Sequence, residues 1–289
     1  MYSSISTNKR NTVLIFASFI AIIGGIGLIF SQIYSDHAVF WTTLIVAFIY
    51  AGVEYFFSSK IAIKMSGAQE VTRPQAPELY AAVESISITA GIPMPKVYII
   101  NDPAPNAFAA GPKPDNALVC AATGLLDIMN KEELEGVVAH EISHIKNYDI
   151  RVSMAAFALT AAIGFLADTI WRVYFWSDND DRSPIAMLIG IVIAVIAPIL
   201  ALITQLAISR QREYLADASA VMLTRYPQGL ISALEKLKTT TTPMRKQSSS
   251  MANLYFTNPL KKGFMNKLFS THPPLEERIA KLSENSSKF

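Results

Sequence analysis

From Val13 to Ile33 the chain runs for 21 residues without a charged side chain. As a helix such a segment is about 31 Å long, the thickness of a bilayer core. Three more apolar blocks follow. Ala38–Phe57 is apolar until Glu54, near its end. Val152–Tyr174 is Ala-rich and carries Asp168 and Arg172 in its last turns. Ile185–Ser209 is free of charge and contains Pro198, which predicts a kink. The second and third are the shorter spans, with about 16 apolar residues each before the first charge. A mean hydropathy of +0.31 with 17% charged residues is too apolar for an ordinary soluble domain.

Flanking charges predict the orientation. Lys9 and Arg10 precede the first span, Lys60, Lys64 and Arg73 follow the second, and Arg210 and Arg212 follow the fourth. Tyr34–His37 has no Lys or Arg, and the loop after the third span holds Asp178, Asp180, Asp181 and a single Arg182. The positive-inside rule therefore puts both termini and both large polar regions in the cytoplasm. Trp41, Trp171 and Trp176 then fall at the outer interface. The first span exceeds a signal-peptide core and lacks a small-x-small cleavage site, so it reads as an uncleaved anchor. Cys120 is the only cysteine, which rules out an intrachain disulfide and fits a reducing compartment. It lies in an apolar strand and reads as a small core residue. Glu54 can snorkel to the interface or pair with a basic neighbour. His37 falls in an outer loop with no chemistry expected of it. A net charge of +2 points to no nucleic-acid partner.

Four regions result: an N-terminal transmembrane hairpin (1–57), a polar region (58–150), a second hairpin (151–209) and a C-terminal region (210–289). In the first polar region, Glu78–Ala90 has helical periodicity and stops at Gly91. Lys96–Asn101 is a β-branched run, and Asn106–Ala110 with Ala117–Ala122 flanks a Gly-Pro-Lys-Pro-Asp-Asn turn, predicting a hairpin. Asn130 predicts the cap of a helix over about Lys131 to Tyr148, with Glu132, Glu133 and Glu135 in its first turns. The tail begins with a helix through about Thr224 and ends with one over about Leu275–Leu282. Thr239–Thr242, Pro243 and Ser248–Ser250 between them suggest a flexible polar stretch.

The helix begun at Asn130 carries His140-Glu141-Ile142-Ser143-His144, an H-E-x-x-H sequence. Residues four apart on a helix lie about 40° apart around its axis, so both imidazoles can share one metal ion. Glu141 projects about 60° further round, within reach of a metal-bound water without being a ligand. Zinc lowers the pKa of such a water to about 7, and a nearby carboxylate can take its proton as it attacks a carbonyl. A catalytic zinc needs a third protein ligand and an open position. Glu213 is the best candidate, just past the fourth span in Arg210-Gln211-Arg212-Glu213-Tyr214-Leu215-Ala216-Asp217. Asp217, four residues on, faces the same way and can accept a hydrogen bond from the free nitrogen of a ligand histidine. The alternative is that Glu213 and Asp217 only pair with Arg210 and Arg212 at the membrane surface. If the helices run on unbroken into the third and fourth spans, the metal lies roughly 8–12 Å beyond the bilayer.

With A-H-E-I-S-H-I, then R-E-x-x-A-D and a late T-H-P-P-x-x-x-R-I, set among two pairs of spans, nearly the whole chain resembles the HtpX-type membrane metalloproteases. Those are related more distantly to the CAAX prenyl proteases. The resemblance implies an α-helical integral membrane protein with about four transmembrane helices and a cytoplasmic α+β, zincin-like protease domain carrying a small sheet. It implies one Zn2+ per subunit, bound by His140, His144 and Glu213, with Glu141 as general base and Asp217 supporting a ligand histidine. It also implies that Asn106-Ala107-Phe108 is an edge strand over the zinc that holds substrate backbone by strand addition; a plain core strand is the competing account. His272 is either a displaceable ligand, a donor to the developing oxyanion or gate, or simply a helix-entry residue before Pro273 and Pro274.

The expectation is therefore a zinc-dependent endopeptidase of the bacterial cytoplasmic membrane that cuts misfolded or damaged membrane proteins on the cytoplasmic side. The lipid bilayer and other proteases of membrane quality control are its expected partners. A prenyl-peptide protease of the CAAX type, or a non-catalytic membrane chaperone or adaptor with a structural zinc, are the alternatives. A structural site has no need of Glu141, and a transporter would want charges in mid-membrane, which these spans lack.

Overall fold

The computed structural model describes residues 2–33, 35–159, 210–240, 242–246, 251, 254–257 and 273–285. The third apolar block beyond Leu159, all of the fourth, and His272 lie outside the described residues. What is described is a helical protein with a small mixed sheet.

Two long helices come first, α1 (Tyr2–Ile33) and α2 (His37–Ser66). Asp36 caps α2 by accepting a hydrogen bond from the Ala38 amide at 2.8 Å. Ile15, Phe19 and Ile23 of α1 pack against Ala47 and Ala51 of α2. Facing outward on the same pair, Val13, Trp41, Val46, Phe48 and Phe56 are exposed. That is an apolar exterior a water-facing surface does not carry. Within α1, Ser6–Leu28 is long and apolar enough to cross a membrane. α2 meets the same test only as two segments bent by 58° around residue 54, and it continues past Phe57 to Ser66.

The sheet follows, with strand order β1-β2-β4-β3. β1 (Gln69–Glu70) and β2 (Lys96–Ile100) are antiparallel, β2 and β4 (Leu118–Ala122) parallel, and β4 and β3 (Ala107–Ala110) antiparallel. The hairpin expected from the Gly-Pro-Lys-Pro-Asp-Asn turn is thus present, with Phe108 opposite Cys120. Both faces are covered. Val97, Ala107, Ala109, Val119 and Ala121 pack toward the helices, while Tyr98, Phe108, Ala110, Leu118 and Cys120 pack against Ala62, Met154, Phe157, Met244 and Tyr255. Burial on both sides explains why these strands read as near-continuous apolar runs.

On the helical side lie α3 (Pro77–Ala90), α4 (Thr123–Ile128) and α5 (Lys131–Lys146). α3 ends where Gly91 takes φ 68° and turns its amide back to Ile88 and Ser87. Asn130 starts α5 with a reciprocal capping box: its Oδ1 accepts from the Glu133 amide at 2.9 Å, and Glu133 Oε2 accepts from the Asn130 amide at 2.8 Å. The buried Glu133 carboxylate also accepts from Lys236 Nζ and Ser232 Oγ, both at 2.6 Å. Burial alone would raise its pKa; Lys236, Ser232 and the Asn130 amide outweigh burial and hold it below the ordinary carboxylate value.

The helix begun at Asn130 is shorter than the sequence suggests. α5 stops at Lys146 rather than continuing through Tyr148. Asn147 and Tyr148 form a turn in which Tyr148 takes φ 61°, and a new helix, α6, is described over 149–159. A side chain at positive φ cannot stay in a right-handed helix, so α5 does not run straight into the third apolar block. The estimate of the metal's height above the bilayer, which assumed unbroken helices, loses its basis. Val152, Ala155, Ala156 and Leu159 of α6 pack instead into the α1–α2 core.

After the undescribed stretch come α7 (Arg210–Thr224), α8 (Pro227–Thr239) and α9 (Leu275–Asn285). α8 was not anticipated, although Pro227 at its first position is a start signal. It crosses α5 at very short range: a Cβ on Gly229 would stand 2.5 Å from the Glu132 carbonyl oxygen, and one on Gly136 would stand 2.8 Å from the Leu230 amide. The polar stretch after α8 is anchored where it is described. Met244 is buried, and the Arg245 amide donates to Asp102 Oδ2 at 2.8 Å.

Candidate metal centre

α5 presents His140 and His144 on one face, as a four-residue spacing dictates. Their Nε2 atoms lie 3.0 Å apart. α7 crosses α5 and brings Glu213 to them, with Oε2 3.6 Å from His140 Nε2 and Oε1 3.6 Å from His144 Nε2. One ligand atom from each of the three residues falls within 4.8 Å of the other two. Two ligands at about 2.1 Å from a tetrahedral zinc stand roughly 3.4 Å apart, so these separations suit one shared ion.

The opposite imidazole nitrogens each meet a carboxylate. His140 Nδ1 is 2.9 Å from Asp217 Oδ1, and His144 Nδ1 is 3.0 Å from Asp149 Oδ2. Each carboxylate fixes the proton on Nδ1, which leaves the two Nε2 lone pairs and the Glu213 carboxylate converging on one point. Such a convergence of acceptors is favourable only around positive charge. His144 registers this field directly. Burial alone would lower its pKa, but the Asp149 hydrogen bond and the charges of Glu213, Asp149 and Glu141 raise it to about 9. A divalent cation is drawn to the same place by the same charges.

Arg278 of α9 closes the inner side and is 0% exposed. It grips Asp217 bidentately, Nε to Oδ2 at 2.9 Å and Nη2 to Oδ1 at 2.6 Å. Burial pushes the Asp217 carboxyl up, yet Arg278 and His140 outweigh it and keep the group below its ordinary value. The Arg278 guanidinium also lies 4.7 Å over the Phe256 ring, and that ring meets His140 edge-on at 4.9 Å. Tyr214 Oη donating to Glu277 at 2.8 Å helps hold α9 on α7. Sequence reasoning quoted the arginine of the late motif without assigning it a part, and Asp149 was missed altogether. Neither shares an element with the residue it supports. Asp217 therefore faces Arg278 and His140 rather than Arg210 or Arg212. Glu141 is buried at 3% exposure on the same helix, close enough for its charge to act on His144, Arg278 and the Cys120 thiol.

Asn106-Ala107-Phe108 lies at the sheet edge beside α5, but the outer side of that edge is already paired. Phe108 bridges antiparallel to Tyr255, and the Phe256 amide donates to the Ala107 carbonyl at 2.8 Å. Asn106 donates from Nδ2 to the Thr257 carbonyl at 2.8 Å and accepts from the Thr257 amide at 3.1 Å. Phe108 is fully buried, with its ring 5.4 Å from that of Tyr255. An incoming strand can reach this edge only in exchange for residues 255–257.

Residues 74–286 match the family model for peptidase family M48. A protein named Protease HtpX homolog from Tropheryma whipplei (strain Twist) is 50% identical across 100% of both chains. The chain belongs to peptidase family M48. A second Protease HtpX homolog, from Ligilactobacillus salivarius, is 45% identical over 98% of this chain and 99% of its own. In fold, this M48 chain also resembles the crystal structure of S. mikatae Ste24p, with a TM-score of 0.53 at 20% identity, over 98% of this chain and 67% of that one. It is an HtpX-type metalloendopeptidase, and the His140/His144/Glu213 cluster is its candidate metal site.

Proposed function

We propose that the chain is a zinc-dependent endopeptidase of the bacterial cytoplasmic membrane that cleaves misfolded or damaged membrane proteins at the cytoplasmic face. The observation that carries this is the convergence of His140, His144 and Glu213, backed by Asp217 and Asp149, close beside two helices with an apolar exterior. His140, His144 and Glu213 hold the ion in this reading. A bound zinc supplies a Lewis acid that polarises the scissile carbonyl and acidifies water. Glu141 accepts the proton of the attacking water at its carboxylate and returns it to the departing amine. Asp217, clamped by Arg278, keeps the proton of His140 on Nδ1, and Asp149 does the same for His144. The Asn106–Phe108 edge offers backbone hydrogen bonds to substrate once residues 255–257 give way.

The activity is tested by incubating purified protein in detergent with a folded membrane protein and with the same protein after denaturation. Faster cleavage of the denatured form, abolished by chelator and restored by zinc, is expected. Equal cleavage of both would remove the quality-control element.

Topology is tested separately. Cysteines introduced at Ser35 or Asn179 should react with an impermeant thiol reagent added outside spheroplasts, and those at Ser249 or at Gln75, an exposed position of the same polar region, should be protected. Labelling at Gln75 would move the site to the other face.

A further inference from the structure

We infer that Asn8 of α1 is a positioning residue of the metal centre, acting on His144 through Asp149. The inference rests on the reading of His144 as a metal ligand and adds a part of the molecule that reading does not include. Asn8 is 2% exposed, and its amide nitrogen makes two hydrogen bonds to a single turn. It donates to Asp149 Oδ1 at 2.6 Å and to the Asn147 carbonyl at 3.0 Å. The other oxygen of the same carboxylate, Oδ2, faces His144 Nδ1 at 3.0 Å. One carboxylate, 141 residues from Asn8 in sequence, thus bridges the first helix of the chain and a candidate ligand.

The turn needs such support. Tyr148 is a non-glycine residue at φ 61°, a conformation that persists only where the surroundings hold it. Asn8 holds both sides of it, Asn147 and Asp149, and Lys9 lies 5.5 Å over the Tyr148 ring. Arg212 of α7 also acts on Asp149 through its charge, whereas Asn8 supplies a directed hydrogen bond to Oδ1. With Oδ1 anchored, the Asp149 carboxylate cannot rotate away from His144, and the imidazole keeps its ring orientation and its Nδ1 proton. Asn8 lies near the start of Ser6–Leu28, the segment of α1 able to cross a membrane, so the seating of that helix reaches the metal centre through two hydrogen bonds.

The test uses the full-length protein loaded with zinc and follows zinc release to a chromogenic chelator. Asn8→Leu is expected to weaken zinc affinity and speed release by about 10–100-fold, the usual cost of losing a partner behind a metal ligand. Thr12→Val, which removes only the local bond from Thr12 Oγ1 to the Asn8 carbonyl, should release zinc at the parental rate. In an Asp149→Ala background, Asn8→Leu should have no further effect; an additive effect would mean that Asn8 acts through packing and would overturn the proposal. If Asn8→Leu does not fold, Asn8→Ala takes its place in the same cycle. Parental release from the Asn8 variants while His144→Ala binds no zinc overturns this inference alone. Zinc retained by His144→Ala overturns the ligand reading beneath it.

Discussion

A Glu141→Gln chain is expected to bind zinc as the parent does and to lose about 10²–10⁴-fold in kcat for peptide hydrolysis, the usual contribution of a positioned general base. Glutamine has the shape of glutamate but cannot take a proton, and position 141 lies outside the three-residue cluster that can hold an ion. Glutamine keeps the size and shape of this buried side chain, so the metal site should survive. His140→Ala supplies the contrast, because it removes a donor atom itself. Zinc per chain and turnover of a fluorogenic peptide, measured on both variants, separate the two parts. A Glu141→Gln protein as poor in zinc as His140→Ala would show that Glu141 has been given the wrong role.

Glu213→Ala should be zinc-free and inactive at any modest zinc concentration, whereas Asp217→Asn should be partly active and rescued by added zinc. The difference follows from position. Glu213 faces both Nε2 atoms at 3.6 Å, while Asp217 meets the imidazoles at His140 Nδ1, on the side away from the ion. Losing a partner behind the ligands costs about 10–100-fold in affinity or activity, against near-complete loss for a ligand. Asp217→Asn has a second consequence, since Arg278 loses the carboxylate that neutralises it in the interior. Breaking a buried pair from one side costs about 3–5 kcal/mol, so a lower Tm should accompany the weaker zinc binding. If the two acids served only to pair with Arg210 and Arg212, both variants would keep their zinc, and charge reversal at the arginines would restore any defect.

What could be read from the sequence was whatever is local. The H-E-x-x-H register, the Asn130 cap with Glu133 three residues on, the stop at Gly91 and the hairpin about its Gly-Pro turn all depend on residues within a few positions of each other. Family membership followed from the same motifs. The supports of the cluster are of another kind. Asp149 reaches His144 only because the helix breaks at Tyr148, a tyrosine at positive φ that no glycine or proline announces. Arg278 and Asn8 arrive from the two ends of the chain. The pairing of residues 255–257 with β3 was equally hidden, because its contacts are mostly backbone and leave no pattern in side-chain type.

The central claim is that one zinc ion is held by two imidazoles and one carboxylate, and X-ray absorption at the zinc edge of the purified protein tests it most directly. The account predicts two imidazole nitrogens and oxygen ligands at about 2.0–2.2 Å, with the signal lost from Glu213→Ala prepared in parallel. A sulfur ligand near 2.3 Å, which only Cys120 or a methionine could provide, or an unchanged zinc site in Glu213→Ala, would contradict it.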